Sequence, residues 1–344
     1  AGAPRTWQQY LFRISAIPFL MLRARDIFLF PLGWHGNVSY LEASAWPEVE
    51  RWGRWLLAFY ALLIAGSIAL RTDVLRERRL FVATIDARLI ALDAATGAPI
   101  PSFGDHGEVD LRRGLRVPPT GFADYEMTSP PAVVGDAIVV GSGIADGTDK
   151  PHPSGEVRAF HAVTGRLLWT WDPVPLTPGA TGADSWRGRD VARTGGANAW
   201  SVIVADVARN LVFVPTSSPS HDYYGGERLG ANLFANSVVA LRADTGARVW
   251  HFQTVHHDLW DYDVAAPPIL FDWRKDGRTV PAIAVASKTG HLFVLDRRDG
   301  RPLIPVTERP VPQSDVAGEA ASPTQPFPAA PASLARTRLT ADEA

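Results

Sequence analysis

The phrase ALDAATGAPI (91–100) returns three times, as AFHAVTGRLLW (159–169), ALRADTGARVW (240–250) and VLDRRDGRPLI (294–304). Each copy begins with apolar residues and passes through a polar stretch that ends in Thr-Gly or Asp-Gly. Internal repetition defines an architecture more strongly than any single motif, because each copy marks one structural unit. The uneven spacing of the copies indicates one unit repeated with variable insertions rather than a regular solenoid.

Each copy is predicted to form two β-strands around a tight turn. The runs that precede the glycines, such as LFVATIDARLIAL and NLVFVPT, are rich in Val, Ile, Leu and Phe. The glycine tolerates the positive φ that such a turn needs. The closing residues Trp169 and Trp250 offer a large flat surface to bury against a neighbouring unit. We therefore predict an all-β fold, a β-propeller of four-stranded antiparallel blades, with a β-sandwich of similar hairpins as the alternative.

The composition is that of a folded protein without a nucleic-acid partner. The 344 residues are 46% hydrophobic and 20% charged, and the formal net charge is −2. No basic run with interleaved aromatic residues is present, so nucleic-acid binding is not expected. The chain has no cysteine, which excludes disulfides, thiolate zinc sites, iron–sulfur clusters and covalently attached haem.

The two ends of the chain lack the repeat. Residues 1–75 are predicted to form a helical, apolar segment, with WLLAFYALLIAGSIAL (55–70) as one possible membrane helix, although a run this short also suits a buried helix. The repeats place the propeller at about 79–310. From 311 to 344 the chain is rich in Pro, Ala and Ser, and we expect an irregular tail.

Polar residues are densest in HFQTVHHDLWDYDVAAPP (251–268). A metal site, acid–base catalysis and a structured polar loop are all compatible with this segment. On a strand His256 and His257 would face opposite ways, which argues against a two-His zinc site. Carboxylate and carbonyl oxygens suit Ca²⁺ or Mg²⁺ better.

The polar segment and several others resemble the pyrroloquinoline quinone (PQQ)-dependent dehydrogenases, in particular the membrane-bound glucose dehydrogenase type. The resemblance covers about 79–344 and rests on HHDLWDYD with Lys288 placed 27 residues after Asp261, and on further stretches. These are TSPPAVVGDAIVVGSGIAD (128–146), TGGANAW (194–200), VPTSSPSHDYYGG (214–226) and SPTQPFP (322–328). It implies that the repeats are the family's tryptophan-docking units, which fasten adjacent blades.

The resemblance also implies a catalytic pair. Asp261 matches the carboxylate that accepts the substrate hydroxyl proton as general base, while the hydride passes to the quinone. Lys288 matches the cation that hydrogen-bonds the reactive carbonyl of PQQ and stabilises the charge that develops there.

Further positions match the cofactor and cation sites of the family. The matches imply that Trp200 forms the floor under PQQ, and that Thr128 and Asn198 hydrogen-bond it. They give Ca²⁺ or Mg²⁺ a ligand set of Asp146, Asp261, Ser218 and Ser220. His256 and His257 are expected near the mouth through which substrate enters.

Two departures from the family pattern limit the expected activity. The residues before about Leu80 do not resemble the opening blade, and the C-terminal blades are absent, so an incomplete ring is expected. The implied activity is oxidation of a sugar or polyol hydroxyl, with electrons passed to membrane ubiquinone on the periplasmic side of the bacterial inner membrane. This partial chain alone is expected to have little activity. A non-catalytic propeller scaffold and a calcium-binding structural domain remain the alternatives.

Overall fold

The computed structural model describes residues 78–145, 152–188 and 191–336. The chain divides into two units, Ala1–Arg79 and Leu80–Ala344, and the description below concerns the second. The predicted N-terminal segment 1–75, with its possible membrane helix at 55–70, lies outside the described residues. In the part that is described, no helix is both long enough and apolar enough to cross a bilayer.

Antiparallel sheets make up the described unit, as the repeats predict. The first sheet contains β1 (Arg79–Ala83), β2 (Arg88–Asp93) and β3 (Glu108–Asp110), and a short pair joins β4 (Tyr125–Glu126) to β7 (Gly143–Ile144). The second sheet has the order β5 (Ala132–Val134), β6 (Ala137–Val140), β8 (Val157–His161), β9 (Leu167–Trp171). The third has the order β10 (Val204–Asp206), β11 (Leu211–Pro215), β12 (Ser237–Arg242), β13 (Arg248–Gln253).

The fourth sheet is three-stranded, with β14 (Ile269–Lys275), β15 (Arg278–Ala286) and β16 (Leu292–Asp296). A final two-stranded ribbon pairs β17 (Val306–Pro310) with β18 (Thr324–Pro328). The tail was predicted to be irregular from 311 onward, and the structure differs there because β18 falls inside it. Short 3₁₀ turns connect some strands, at Phe122–Asp124, Ala183–Ser185, Val191–Arg193 and Val207–Arg209.

The hydrophobic core lies between consecutive sheets. Leu89 of the first sheet meets Ile138 and Phe160 of the second in one buried cluster. The second and third sheets share another cluster, and the third and fourth share a third cluster. Stacking neighbouring sheets through their faces is the arrangement of propeller blades. The predicted fold class is confirmed, and within the described residues the sheets form a partial ring that does not close.

The repeated glycines and tryptophans fasten one blade to the next. Gly97, Gly165, Gly246 and Gly300 all have φ between +70° and +75°. Trp169 donates from Nε1 to the Ala243 carbonyl at 2.9 Å, and a Cβ built on Gly246 would lie 2.6 Å from the Trp169 ring. Trp250 repeats both contacts one blade later, with the Arg297 carbonyl at 3.1 Å and Gly300. Only glycine lets the indole approach the turn this closely.

Candidate active site

A tight turn at 258–262 shapes the polar segment that the sequence singles out. The buried Asp258 carboxylate accepts hydrogen bonds from the backbone N–H of Trp260 at 3.0 Å and of Tyr262 at 2.6 Å. Asn236 Nδ2 donates to the same carboxylate at 2.7 Å. Within this turn Asp261 adopts a φ of +58°, a conformation that aspartate tolerates better than most residues. Asp258 therefore holds the backbone that aims the Asp261 side chain.

A buried arginine ties this turn to the loop that follows β11. Arg228 is only 1% exposed, and its Nη2 donates to the carbonyls of His221 and Asp258, both at 2.8 Å. Its Nη1 donates to Asn232 Oδ1 at 3.0 Å. Burial lowers the pKa of Arg228 to about 10, although the charges of Asp258 and Asp222 oppose that shift. The guanidinium thus cross-links two loops whose other residues line the site.

Lys288 stands in the turn between β15 and β16 and contacts two carboxylates. Its Nζ lies 2.7 Å from Asp261 Oδ2 and 2.9 Å from Asp263 Oδ2. Burial lowers the pKa of Lys288, but the two carboxylates outweigh that effect and raise the pKa above its usual value. Burial raises the pKa of Asp263 to about 6, against the hydrogen bond from Lys288, and the neighbouring Asp261 charge adds to the rise. One ammonium group is thus shared by two carboxylates.

Asp263 joins three parts of the chain, a role that was not predicted. Its Oδ2 also accepts from Trp200 Nε1 at 3.0 Å, and its Oδ1 accepts from the backbone N–H of Ser218 at 2.6 Å. Its backbone carbonyl accepts from the N–H of Lys288 at 2.9 Å. The sequence offered only the closeness of Asp263 to the matched Asp261, because the chain turns at Asp261, with its φ of +58°, and strand alternation does not apply there.

Trp200 is held as a wall by hydrogen bonds at both ends. While Nε1 donates to Asp263, its carbonyl accepts from the hydroxyls of Thr128 at 2.8 Å and Ser129 at 2.6 Å. Lys288 Nζ lies 5.9 Å from the centroid of the indole ring. The half-buried ring therefore faces a cavity that also receives the ammonium group.

This cavity, called here the cofactor cavity, has a volume of about 410 Å³. It brings together most of the predicted site residues: Thr128, Asn198, Trp200, Ser218, Ser220, Asp261 and Lys288. Asn198 also supports the wall, since its Nδ2 donates to the Ser142 carbonyl at 2.6 Å and its Oδ1 accepts from Ser217 at 2.9 Å. Among the lining residues to which the sequence assigned no role are Glu126, Gly196, Ser217, Asp222 and Asp263.

The expected cation site is only partly described. Asp146 lies outside the described residues, whereas Asp261, Ser218 and Ser220 all line the cofactor cavity. Over the described ranges, no group of three or more acidic or histidine side chains is placed to hold a metal ion. Asp261 is engaged by Lys288 at 2.7 Å. The cation therefore stays a prediction.

The two adjacent histidines lie in different surroundings, and neither lines the cofactor cavity. His256 contacts Gln253 through Nδ1 at 2.7 Å and Glu308 through Nε2 at 3.1 Å. His257 is 4% exposed, and its Nδ1 lies 2.9 Å from Asn232 Oδ1. Burial lowers the pKa of His257 to about 4, and the positive charge of Arg228 adds to this shift.

The buried His257 predicts a pH-dependent stability. A histidine with a folded pKa near 4 stays neutral while the unfolded chain takes up a proton below about pH 6.5, so the free energy of unfolding falls as pH drops from 6.5 to 4. We expect this group to contribute up to about 3 kcal/mol of that loss. The free energy of unfolding, measured by urea denaturation between pH 4 and 8, should depend less steeply on pH in His257→Asn than in the wild type. His106→Gln, at a 94% exposed side chain, is the control, and an equal slope in all three proteins would contradict the prediction.

The sequence of the whole described unit matches one family. The model for "PQQ: Glucose/ethanol/alcohol dehydrogenase, beta-propeller domain" matches residues 67–344. The chain belongs to this family. The predicted resemblance is therefore confirmed, and the cofactor cavity lies within the matched region.

Individual PQQ-dependent dehydrogenases are also similar to this chain in sequence and in structure. The chain is 41% identical over 257 residues to quinoprotein glucose dehydrogenase A of Acinetobacter calcoaceticus, covering 73% of this chain and 31% of that one. It is 40% identical to quinate/shikimate dehydrogenase (quinone) of Acinetobacter baylyi, over 75% of this chain and 32% of the relative. The structure superposes on quinohemoprotein alcohol dehydrogenase of Comamonas testosteroni with a TM-score of 0.57, at 29% identity, covering 74% and 37% of the two chains. The chain spans about a third of the length of these relatives.

The described residues of the cavity fit the cofactor for which the family is named. PQQ is a flat, anionic, polar ring system, and the cavity offers an indole face, an ammonium group, the Asn198 amide and several hydroxyl groups. Its other charged lining groups are the carboxylates of Glu126, Asp222, Asp261 and Asp263, so the Lys288 side of the cavity is the part suited to the anionic groups of PQQ. The glycine at 196 leaves room beside the hydroxyls, since a Cβ there would lie 2.8 Å from the Ser220 nitrogen. Trp200, Lys288, Asn198 and Thr128 are the residues that would hold PQQ.

Proposed function

We propose that this chain contributes the PQQ site of a dehydrogenase that oxidises a hydroxyl group of a sugar or polyol. The observation that carries the proposal is the Lys288–Asp261 contact of 2.7 Å beside the Trp200 indole, in one cavity. A lysine in a β-turn is ordinarily solvated. Here a rigid sheet aims it at two carboxylates and an aromatic face, which is the arrangement of a preorganised electrostatic site.

Asp261 is proposed as the general base. When bound, PQQ supplies the two-electron acceptor for the hydride that leaves the carbinol carbon. Asp261 takes the hydroxyl proton on its carboxylate, which Lys288 holds through Oδ2. Among the described residues Oδ1 accepts no hydrogen bond, so it is the atom that faces the substrate hydroxyl. Lys288 supplies a fixed positive charge that favours negative charge on a bound acceptor.

Asp263 is proposed to set the distance between the lysine and the indole. It accepts from both Lys288 Nζ and Trp200 Nε1 through the same oxygen, at 2.9 and 3.0 Å. The two groups that would contact PQQ are thus fixed to one carboxylate. Such support reduces the ordering cost when a ligand binds.

The remaining parts of the proposal concern the cation, the electron acceptor and the location. Ca²⁺ or Mg²⁺ is proposed with Asp146, Asp261, Ser218 and Ser220 as ligands, because these are oxygen donors of the kind that hard cations prefer. A quinone, proposed to be membrane ubiquinone, is the acceptor, in line with the name of the quinate/shikimate relative. The periplasmic side of the bacterial inner membrane is the proposed location.

The proposal is tested by titrating the 344-residue chain with PQQ in the presence of CaCl₂. Tryptophan fluorescence is expected to show saturable quenching, because Trp200 lines the cavity. Lys288→Met should weaken binding about 10- to 100-fold, the effect of losing a charge-assisted hydrogen bond. Lys275→Met, at an exposed position on β14, is the matched control.

Equal PQQ affinity in the two lysine variants would refute the assigned site. Oxidation of glucose and of quinate is then measured with an artificial electron acceptor, using the chain after it has been mixed with PQQ and CaCl₂. A chain that binds Ca²⁺ without a PQQ-dependent change in fluorescence would instead support a calcium-binding structural domain.

A further inference from the structure

A second cavity of about 690 Å³ lies next to the cofactor cavity. The site loop 254–262 forms one side of it, and the segment 311–323 between β17 and β18, called here the strap, forms the other. Lys288 lines both cavities. Nothing in the proposed chemistry of the first cavity uses this space.

The strap is fixed to the site rather than loosely covering it. Just beyond its C-terminal end, Gln325 of β18 pairs with His256, accepting from its backbone N–H and donating to its carbonyl, both at 2.7 Å. Glu319 Oε1 accepts from the N–H of Gly225 at 3.0 Å, and its Oε2 accepts from the Ser314 hydroxyl. The cavity is therefore a formed feature of the fold, and its volume is within the range of small-molecule sites.

Several aromatic side chains that line this cavity are largely exposed to solvent. Trp260 is 69% exposed and Tyr223 is 68% exposed, although both are large and apolar. Tyr262 and His291 stand nearby in the same wall. Exposed aromatic faces in a concave site, accompanied by polar tips, are suited to a ring that has an apolar C–H face and hydroxyl edges.

The turn of the site loop connects the two cavities. Along it the side chains alternate, with Asp261 and Asp263 lining the cofactor cavity and Trp260 and Tyr262 lining the second one. Lys288 lines both cavities and contacts Asp261, so a hydroxyl group held at Asp261 would lie where the two cavities meet. The rest of such a molecule would have room to extend past Lys288 toward Trp260.

We propose that the second cavity binds the non-reacting part of a polyhydroxylated six-membered ring, a sugar or a cyclic polyol, stacked on Trp260. The inference rests on the proposed function for its role in catalysis. It assigns selection of the substrate to Trp260 and the strap, while Asp261 and Lys288 act on the reacting hydroxyl.

The binding test uses the 344-residue chain without PQQ, with glucose as the probe. Saturation-transfer NMR is expected to show signals from the glucose ring protons with the wild type. Trp260→Leu should weaken these signals strongly, in line with about 10-fold lower affinity for glucose, and folding should be unaffected because the side chain is largely exposed. The matched control is Trp273→Leu, at an indole that lines neither cavity, and it should keep the signals. Equal signals from all three proteins would overturn the proposal.

A kinetic test separates this inference from the proposed function. With PQQ, Ca²⁺ and an artificial acceptor, Trp260→Leu should raise KM for glucose about 10-fold, the effect expected from one lost stacking contact. KM for glycerol, which has no ring to stack, and kcat for both substrates should change less than about 2-fold. A chain that shows no saturable PQQ binding would refute the proposed function, whereas the NMR comparison would still decide the second binding site. Equal rises in KM for glucose and glycerol would refute the selective role of Trp260.

Discussion

Replacing Asp261 with asparagine is expected to lower kcat for PQQ-dependent oxidation by about 100- to 10,000-fold, the usual contribution of a general base. Asparagine has nearly the same shape and tolerates the φ of +58° found at this position, so the turn should persist. What is lost is the carboxylate, whose Oδ1 is proposed to accept the hydroxyl proton and whose Oδ2 contacts Lys288 at 2.7 Å. The measurement is steady-state oxidation of glucose and quinate with an artificial acceptor.

Asp244→Asn is the matched control for this variant. Asp244 also pairs with a cation, Arg242 at 3.0 Å, but that pair is on the surface of the third sheet. Exposed ion pairs contribute little, so both activity and stability should stay close to those of the wild type. Asp261→Asn with more than about half of the wild-type kcat would exclude Asp261 as the base.

Trp250→Ala is expected to lower the free energy of unfolding by about 3 to 5 kcal/mol, the usual cost of truncating a buried tryptophan. The indole is only 6% exposed, contacts Phe213 at a ring-centroid distance of 5.6 Å, and covers Gly300 of the next blade. Its loss leaves a cavity between the third and fourth sheets and removes the hydrogen bond to the Arg297 carbonyl. Urea denaturation followed by circular dichroism measures the change.

Trp273→Ala provides the comparison for this stability experiment. Trp273 is on β14 and makes an edge contact with Phe271, but it belongs to none of the buried clusters between blades. Its loss should cost about 1 kcal/mol or less. Similar losses in the two variants would show that the tryptophan at 250 is not a fastener between blades.

The fold could be predicted from sequence because its determinants are local and repeated. The turn glycines are at fixed positions in each copy, and all four adopt the positive φ that the turn requires. Trp169 and Trp250 follow their glycines at a constant spacing, so their role between blades was also visible. The strand β18 was missed because its sequence, TQPFP, contains Pro326 and Pro328, follows Pro323 and has Phe327 as its one large apolar residue. Proline is a poor indicator of a strand.

The site could be predicted only in part. Family motifs located Asp261, Lys288 and Trp200, and the structure places them around one cavity. The supporting contacts of Asp263 and Arg228 could not be predicted. Asp263 is 63 residues from Trp200, and Arg228 is 30 residues from Asp258, so these contacts arise only when separate loops meet.

The direction of the tryptophan contacts has a consequence for synthesis on the ribosome. Trp169 needs a carbonyl that follows it by 74 residues, and Trp250 needs one that follows it by 47. A newly made blade therefore waits, with its indole uncovered, until the turn of the next blade has left the exit tunnel. Since domains form as the chain emerges from its N-terminal end, translation speed across each following blade sets how long this apolar surface is open to chaperones and to aggregation.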